Sequence, residues 1–245
     1  MNTIIVGNGE IGCALQEILS KTYKHKVWTI DLLPEKTYLD GCPQTLDVMH
    51  ICLRYGPDFK KWVEEYVEKY KPAIVDICTT MPVGTTESFG KRNFVHSTTR
   101  GLHPHLASGL ISIPKNIGGE LTYARPLAAY FNRAGIECVL HNKARTTELL
   151  HILNNVHYGI NLMFADEASK LCREYGVDYL DYLAYTQSNN RGYIALGHDS
   201  KVRPILTPPN GRIGGHCVVM SANLIPQDKR QVLINNLAYY GNSNN

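Results

Sequence analysis

The chain has 245 residues, of which 44% are hydrophobic and 19% are charged, a composition typical of a globular protein. Its formal net charge is +3 and no basic block stands out, so we expect no nucleic-acid partner. No apolar run approaches the roughly 20 residues that span a bilayer, so we expect no membrane association. Seven scattered cysteines without a Cys-x-x-Cys pair, and an apolar start without a preceding basic segment, favour reduced thiols in the cytoplasm.

The first 145 residues alternate short apolar runs with helical patterns. The runs predict strands over residues 3–6, 27–30, 47–53, 73–78, 93–96 and 136–140. Apolar residues at helical spacing predict helices over 11–20 and 58–70. Strands separated by helices are typical of an α/β fold with a doubly wound parallel sheet, so we expect a Rossmann-type domain over 1–145.

The pattern changes after residue 145. Residues 146–175 contain no proline and a single glycine, and their apolar residues recur every three to five positions, which predicts one long helix. A second helix is expected over 177–186, and 187–215 is rich in Asn, Gly and Pro, which predicts an ordered loop. Residues 146–245 therefore form, in our prediction, a long central helix and a small helical domain for substrate binding and dimerisation.

A glycine motif follows the first predicted strand. Gly7-Asn8-Gly9-Glu10-Ile11-Gly12 matches G-x-G-x-x-G between a strand and a helix, and Asp31 ends the next strand. The first glycine permits a tight turn, the second lets a pyrophosphate approach the backbone, and the third allows close helix packing. A carboxylate at Asp31 would bind ribose hydroxyls and repel a 2′-phosphate, which favours NAD over NADP. The alternative is a glycine-rich turn in an unrelated α/β protein.

A second motif lies near the carboxyl end of the sequence. Gly214-Gly215-His216-Cys217 follows a proline-rich stretch, and small residues before a cysteine allow close backbone approach to a nucleophilic thiol. With the segments 78–86, 148–155 and 164–167, this motif resembles the UDP-glucose/GDP-mannose dehydrogenase family. The chain is similar to a short, divergent member that lacks the third, nucleotide-binding domain of that family.

The resemblance implies an NAD-dependent dehydrogenase of nucleotide sugars. In that family a primary alcohol is oxidised twice, through a thioester on the cysteine that corresponds to Cys217. It also implies that Thr79, Thr80 and Pro82 border the nicotinamide and that the long helix forms a homodimer.

Two positions depart from the family pattern. His151 stands where the family has a lysine, although Asn155 is retained, and Ser221 replaces an aspartate. An imidazole can exchange a proton near neutral pH, so we assign proton and water handling to His151 and Asn155. The alternatives are a structural histidine at 151 and a buried, inert cysteine at 217.

Five further residues are candidates for binding an anionic small-molecule substrate. They are Arg100, Glu148, Arg191, Arg203 and His216. The His-x-His pair at 103–105 has no third ligand at diagnostic spacing, so no metal site is expected. Two other functions remain open: a two-electron β-hydroxyacid-type dehydrogenase or reductase without a covalent step, and a non-catalytic NAD-binding protein.

Overall fold

Seven short strands form one sheet in the computed structural model. They are β1 (Thr3–Val6), β2 (Val27–Ile30), β3 (Val48–Ile51), β4 (Ile74–Ile77), β5 (Phe94–Ser97), β6 (Lys115–Gly118) and β7 (Cys138–His141). Their order is β2-β1-β3-β4-β5-β6-β7, and all neighbours are parallel except β5 and β6. The sheet confirms the α/β, Rossmann-type prediction, with one correction: it is mostly rather than wholly parallel.

Helices cover both faces of the sheet. They are α1 (Glu10–Tyr23), α2 (Phe59–Tyr70), α3 (Leu106–Ser112) and α4 (Leu121–Arg133). Successive side chains of a strand point to opposite faces of the sheet, and each face has its own hydrophobic core. In β1, Ile5 packs in one core, whereas Ile4 and Val6 pack in the other. Because both faces are buried, the strands consist of continuous apolar runs, which is why the sequence predicts six of the seven.

The structure describes residues 1–101, 104–209, 213 and 216–243, without the side chains of His25, His216 and residues 240–243. The chain divides into two compact units, Met1–His151 and Ile152–Asn245. The division falls inside the long helix α5 (Ala144–Glu174), which was predicted over 146–175.

The second unit contains the rest of α5, α6 (Tyr179–Ala195), α7 (His216–Asn223) and α8 (Val232–Ser243). Its core joins α5, α7 and α8 through the buried residues Val156, Val218 and Leu237. The loop prediction is wrong for residues 187–195, which continue α6. Asn190 explains the difference, because its buried side chain donates to Arg203 O (2.8 Å) and accepts from Arg203 N (2.9 Å). This tertiary contact outweighs the low helix propensity of asparagine.

Among the described residues, no helix is both long enough and apolar enough to cross a membrane.

Candidate active site

The glycine motif forms the turn between β1 and α1. Gly7 has φ +92°, and its N–H donates to Ile30 O at 2.8 Å. A Cβ on Gly7 would lie 2.8 Å from Cys52 O, and a Cβ on Gly12 would overlap the Gly7 carbonyl oxygen. A Cβ on Gly9 would meet no protein atom within 4 Å. Gly7 and Gly12 are thus required by the fold, whereas Gly9 leaves open space in front of the N-terminus of α1.

The sheet order places this turn at a topological switch point. From β1 the chain continues to β2 on one side, and β3 lies on the other side. Ligands of open α/β sheets bind in the crevice outside the carboxyl ends of strands at such a point. The N–H groups and the dipole at the start of α1 favour an anionic group such as a pyrophosphate there.

Asp31 lies beside the glycine turn at the end of β2. Its Oδ2 accepts the Asn8 N–H at 2.6 Å, and its Oδ1 accepts the Leu33 N–H at 3.0 Å. The Asn8 side chain donates to Gln16 Oε1 and Lys36 O, while its Oδ1 is buried without a hydrogen-bond partner among the described residues. The carboxylate is therefore held in place by backbone donors and remains half-exposed at the switch point.

The two other motif residues differ in exposure. Glu10 is exposed in the first turn of α1, and Ile11 packs against the core on the α1 side.

The segment 79–82 follows β4 at the same edge of the sheet. Thr79 is buried and its hydroxyl donates to Leu53 O at 2.7 Å, while Thr80 and Pro82 are half-buried. Glu148, also buried, accepts the N–H groups of Gly84 (2.5 Å) and Thr86 (2.8 Å). Both carboxylate oxygens of Glu148 thus hold the turn after Pro82. Its assignment to substrate binding stays a prediction.

His151 is buried in the second turn of α5, with 5% of its surface exposed. Burial, aided by the charges of Lys115 and Arg100, lowers the pKa of His151 to about 4, so the imidazole is neutral at pH 7. One ring nitrogen is hydrogen-bonded to the backbone of Thr99, whereas Nδ1 is buried without a partner among the described residues.

Asn155 and Cys217 belong to the second unit. Asn155 Nδ2 donates to Ser221 Oγ at 3.0 Å, and that hydroxyl donates to Cys217 O at 2.7 Å. Cys217 is half-buried in the first turn of α7. Ser221, at the position of the family aspartate, therefore links Asn155 to the backbone of the candidate nucleophile. Gly214, Gly215 and the side chain of His216 lie outside the described residues.

The three candidate arginines have different surroundings. Arg100 donates to Pro114 O, and its charge acts on His151 in the first unit. In the second unit Arg191 is exposed on α6, and the Arg203 guanidinium lies over the Tyr193 ring at 5.1 Å. Arg203 also donates to Lys201 O at 3.0 Å, so its side chain is held by local contacts.

Sequence reasoning missed a buried polar array on β3 and β4. His50 Nδ1 lies 2.7 Å from Asp76 Oδ2, and the Cys78 thiol donates to the same oxygen at 3.3 Å. Burial opposes ionisation of both groups, but their mutual hydrogen bond raises the pKa of His50 to about 9 and lowers that of Asp76. A hydrogen bond from Cys52 lowers the pKa of Cys78 to about 6. The period-two pattern His50-x-Cys52 and Asp76-x-Cys78 is the sequence signal that could have revealed it.

Comparisons with known proteins gave relatives in sequence and in structure, although no family model matches the chain. UDP-N-acetyl-D-mannosamine dehydrogenase of Salmonella typhi is 28% identical over 188 residues, covering 66% of this chain and 42% of that protein. The chain spans about two fifths of the length of the curated relatives it matches.

Two solved structures share the fold. UDP-D-ManNAc dehydrogenase of Pyrococcus horikoshii superimposes with a TM-score of 0.77 at 19% identity, over 100% of this chain and 69% of that one. The 3-hydroxyisobutyrate dehydrogenase of Mycobacterium tuberculosis gives 0.70 at 14% identity, over 98% and 92% of the two chains. At these identities the structural matches show the fold alone. The sequence matches show what the chain is similar to. The chain is thus similar to UDP-N-acetyl-D-mannosamine dehydrogenases, in sequence over about two thirds of its length and in fold over all of it.

Proposed function

We propose that this protein is an NAD-dependent dehydrogenase that oxidises a CH–OH group of an anionic, sugar-like small molecule. The observation that carries the proposal is the glycine turn at the switch point of the sheet, with the Asp31 carboxylate fixed beside it. The open space at Gly9 accommodates a pyrophosphate against the N–H groups of α1. Asp31 accepts the ribose hydroxyls and repels a 2′-phosphate, which selects NAD.

Bound NAD would supply the hydride acceptor, and the residues 79–82 would border its nicotinamide. The chain itself provides the groups for the substrate. The Cys217 thiolate adds to the aldehyde formed in the first oxidation, giving a thiohemiacetal whose hydride and proton are removed to leave a thioester. Water then releases the acid and regenerates the thiol. Asn155, which is hydrogen-bonded to Ser221, positions that water. The candidates for binding the substrate remain Arg100, Arg191, Arg203, Glu148 and His216.

A two-electron oxidation without a covalent step is the second candidate function. The observation in its favour is the unpartnered Nδ1 of neutral His151 on α5. A neutral imidazole accepts the proton of a substrate hydroxyl directly as the hydride leaves. The likeness in fold to 3-hydroxyisobutyrate dehydrogenase over nearly its whole length agrees with this candidate. A protein that binds NAD without turnover is the third.

One experiment separates the three candidates. NADH formation is followed with NAD and a panel of nucleotide sugars and hydroxy acids. The proteins compared are wild type, Cys217→Ala, His151→Gln and the control Cys172→Ala, whose thiol is half-buried on α5. Two NADH per substrate that depend on Cys217 support the thioester route. One NADH that depends on His151 but not on Cys217 supports the two-electron route. NAD binding without turnover on any substrate contradicts both catalytic candidates.

We also propose a cytoplasmic homodimer that associates through α5. This helix exposes a series of large apolar side chains, namely Leu149, Leu150, Leu153, Phe164 and Leu171. Exposed apolar surface of this kind is typical of protein interfaces. Light scattering coupled to gel filtration measures the mass, and a monomer at micromolar concentration contradicts the proposal.

A further inference from the structure

The buried polar array forms a two-by-two arrangement across two paired strands. In the parallel register His50 is opposite Asp76 and Ile51 is opposite Ile77, so Cys52 follows opposite Cys78. Residues two apart in a strand face the same side, and both pairs face the core that contains α1 and α4. The His50 ring stacks on Tyr130 (5.9 Å between centroids) and lies tilted against Phe131 (5.3 Å), both on α4, which agrees with this side of the sheet. Three metal-binding side chains thus converge at the carboxyl ends of β3 and β4, and Cys52 lies in register beside them.

The distances within this array suit a small divalent ion. The ligand atoms of His50, Asp76 and Cys78 all lie within 4.8 Å of one another. Cys52 lies outside this group of three, but the register places it opposite Cys78 on the same face of the sheet. In a tetrahedral zinc site with bonds of about 2.0–2.3 Å, neighbouring ligand atoms lie roughly 3.3–3.8 Å apart. The Nδ1–Oδ2 distance of 2.7 Å and the Oδ2–Sγ distance of 3.3 Å are within about 1 Å of those values.

The surroundings of the array also favour a cation bound by three anionic ligands. Asp76 Oδ1 is buried without a hydrogen-bond partner among the described residues, so one carboxylate oxygen is uncompensated. A divalent ion with one carboxylate and two thiolates carries one net negative charge. The buried Lys115 ammonium, which donates to Thr98 O at 3.0 Å and lies 5.2 Å above the Phe131 ring, balances that charge. Cys52 is half-buried, whereas His50, Asp76 and Cys78 are fully buried.

We propose that His50, Cys52, Asp76 and Cys78 form a structural zinc site. Imidazole, carboxylate and two thiolates are a ligand set that Zn²⁺ accepts in tetrahedral geometry, and the two thiol protons are released to solvent on binding. The Cys52 carbonyl oxygen lies directly against Gly7. A bound ion would therefore fix the carboxyl ends of β3 and β4 next to the glycine turn. No metal site was expected from the sequence, because the His-x-His pair at 103–105 has no third ligand at diagnostic spacing. The four residues proposed here come from two separate strands and form no local motif.

The first test uses the full-length protein, purified without metal-affinity resin or chelator. We expect about one zinc per chain by elemental mass spectrometry. Replacement by Co²⁺ should give visible d–d absorption of tetrahedral cobalt and a thiolate-to-cobalt charge-transfer band in the near ultraviolet. Folded wild-type protein that retains no zinc and gives no thiolate band with Co²⁺ overturns the proposal, as does a Cys52–Cys78 disulfide found by mass spectrometry after alkylation.

The second test counts the sulfur ligands. The charge-transfer band should fall to about half in Cys52→Ser and in Cys78→Ser, and stay unchanged in Cys138→Ser, a half-buried cysteine on β7 that packs against the same core. Asp76→Asn should weaken Co²⁺ binding at least tenfold with the band position retained. If Cys78→Ser does not fold, the half-buried Cys52→Ser still decides the question. Equal bands in Cys52→Ser and wild type would contradict the assignment, and none of these readouts depends on NAD or on turnover.

Discussion

The glycine turn of the first unit, residues 7–12, depends on the shape of the backbone, whereas the candidate chemistry of the second unit depends on side chains. Gly7 and Gly12 are in contact with backbone atoms that admit no Cβ. Around Cys217, by contrast, a serine replaces the family aspartate and is held by Asn155 with ordinary hydrogen bonds. A site that depends on close backbone contacts accepts only glycine at certain positions. The spacing of those glycines can therefore be recognised in the sequence. A site defined by side chains can change its chemistry without changing the fold.

The largest expected effect comes from adding a side-chain atom inside the glycine turn. Gly12→Ala places a Cβ onto the Gly7 carbonyl oxygen, where neither backbone can move without displacing α1 from β1. We expect loss of NAD binding and a destabilisation above about 3 kcal/mol, as for severe overpacking. Thermal unfolding with and without NAD measures both effects.

Gly9→Ala provides the matched control. A Cβ there meets no protein atom, so the melting temperature should stay within about 2 °C of wild type while NAD binding weakens. Unimpaired NAD binding by Gly9→Ala would mean that the pyrophosphate lies elsewhere.

The next effect concerns the choice of cofactor. Asp31→Ser removes the carboxylate that we propose binds the ribose, and it also removes the acceptor of the Asn8 and Leu33 N–H groups. Charge-assisted hydrogen bonds contribute about 1.5–3 kcal/mol, so NAD affinity should fall roughly 10- to 100-fold and affinity for NADP should rise. Calorimetric titration with both cofactors measures the ratio. An unchanged preference would show that Asp31 only supports the Asn8 turn.

The packing of the second unit gives a smaller effect. Gly159 on α5 lies against α7 and α8, and its Cβ would overlap Val218 and approach Leu237 Cδ2 to 2.8 Å. Gly159→Ala should cost about 1–3 kcal/mol, because side chains can shift where backbone cannot. Gly192→Ala, exposed on α6 with no neighbour within 4 Å, should instead stabilise by about 0.5–1 kcal/mol. Denaturant unfolding of both variants separates packing from helix propensity.

The same difference between backbone and side chains decides what the sequence could predict. Strands β1 and β2 were predicted to the residue, because their β-branched runs are buried on both faces. Strand β6 was missed because the buried Lys115 and the terminal Gly118 interrupt its apolar pattern. The His50–Asp76 array was missed because a histidine and an aspartate inside apolar runs give no sign of being paired until the register is known.

The smallest effect concerns pH. The pKa of His151 in the folded protein, about 4, lies below the ordinary value of 6.5, so the unfolded chain takes up this proton first as pH falls. Because His151 is buried in its neutral form, the free energy of unfolding is unaffected by this group above pH 6.5. It decreases as the pH falls from 6.5 toward 4. Between pH 6 and pH 5 the free energy of unfolding should drop by about 1 kcal/mol more in wild type than in His151→Gln. Urea unfolding at the two pH values measures this difference, with the exposed His157→Gln on the same helix as control. An equal drop of the unfolding free energy in wild type and in His151→Gln would mean that His151 is charged or solvated in the folded protein. The proton-accepting role proposed for its Nδ1 would then lose its physical basis.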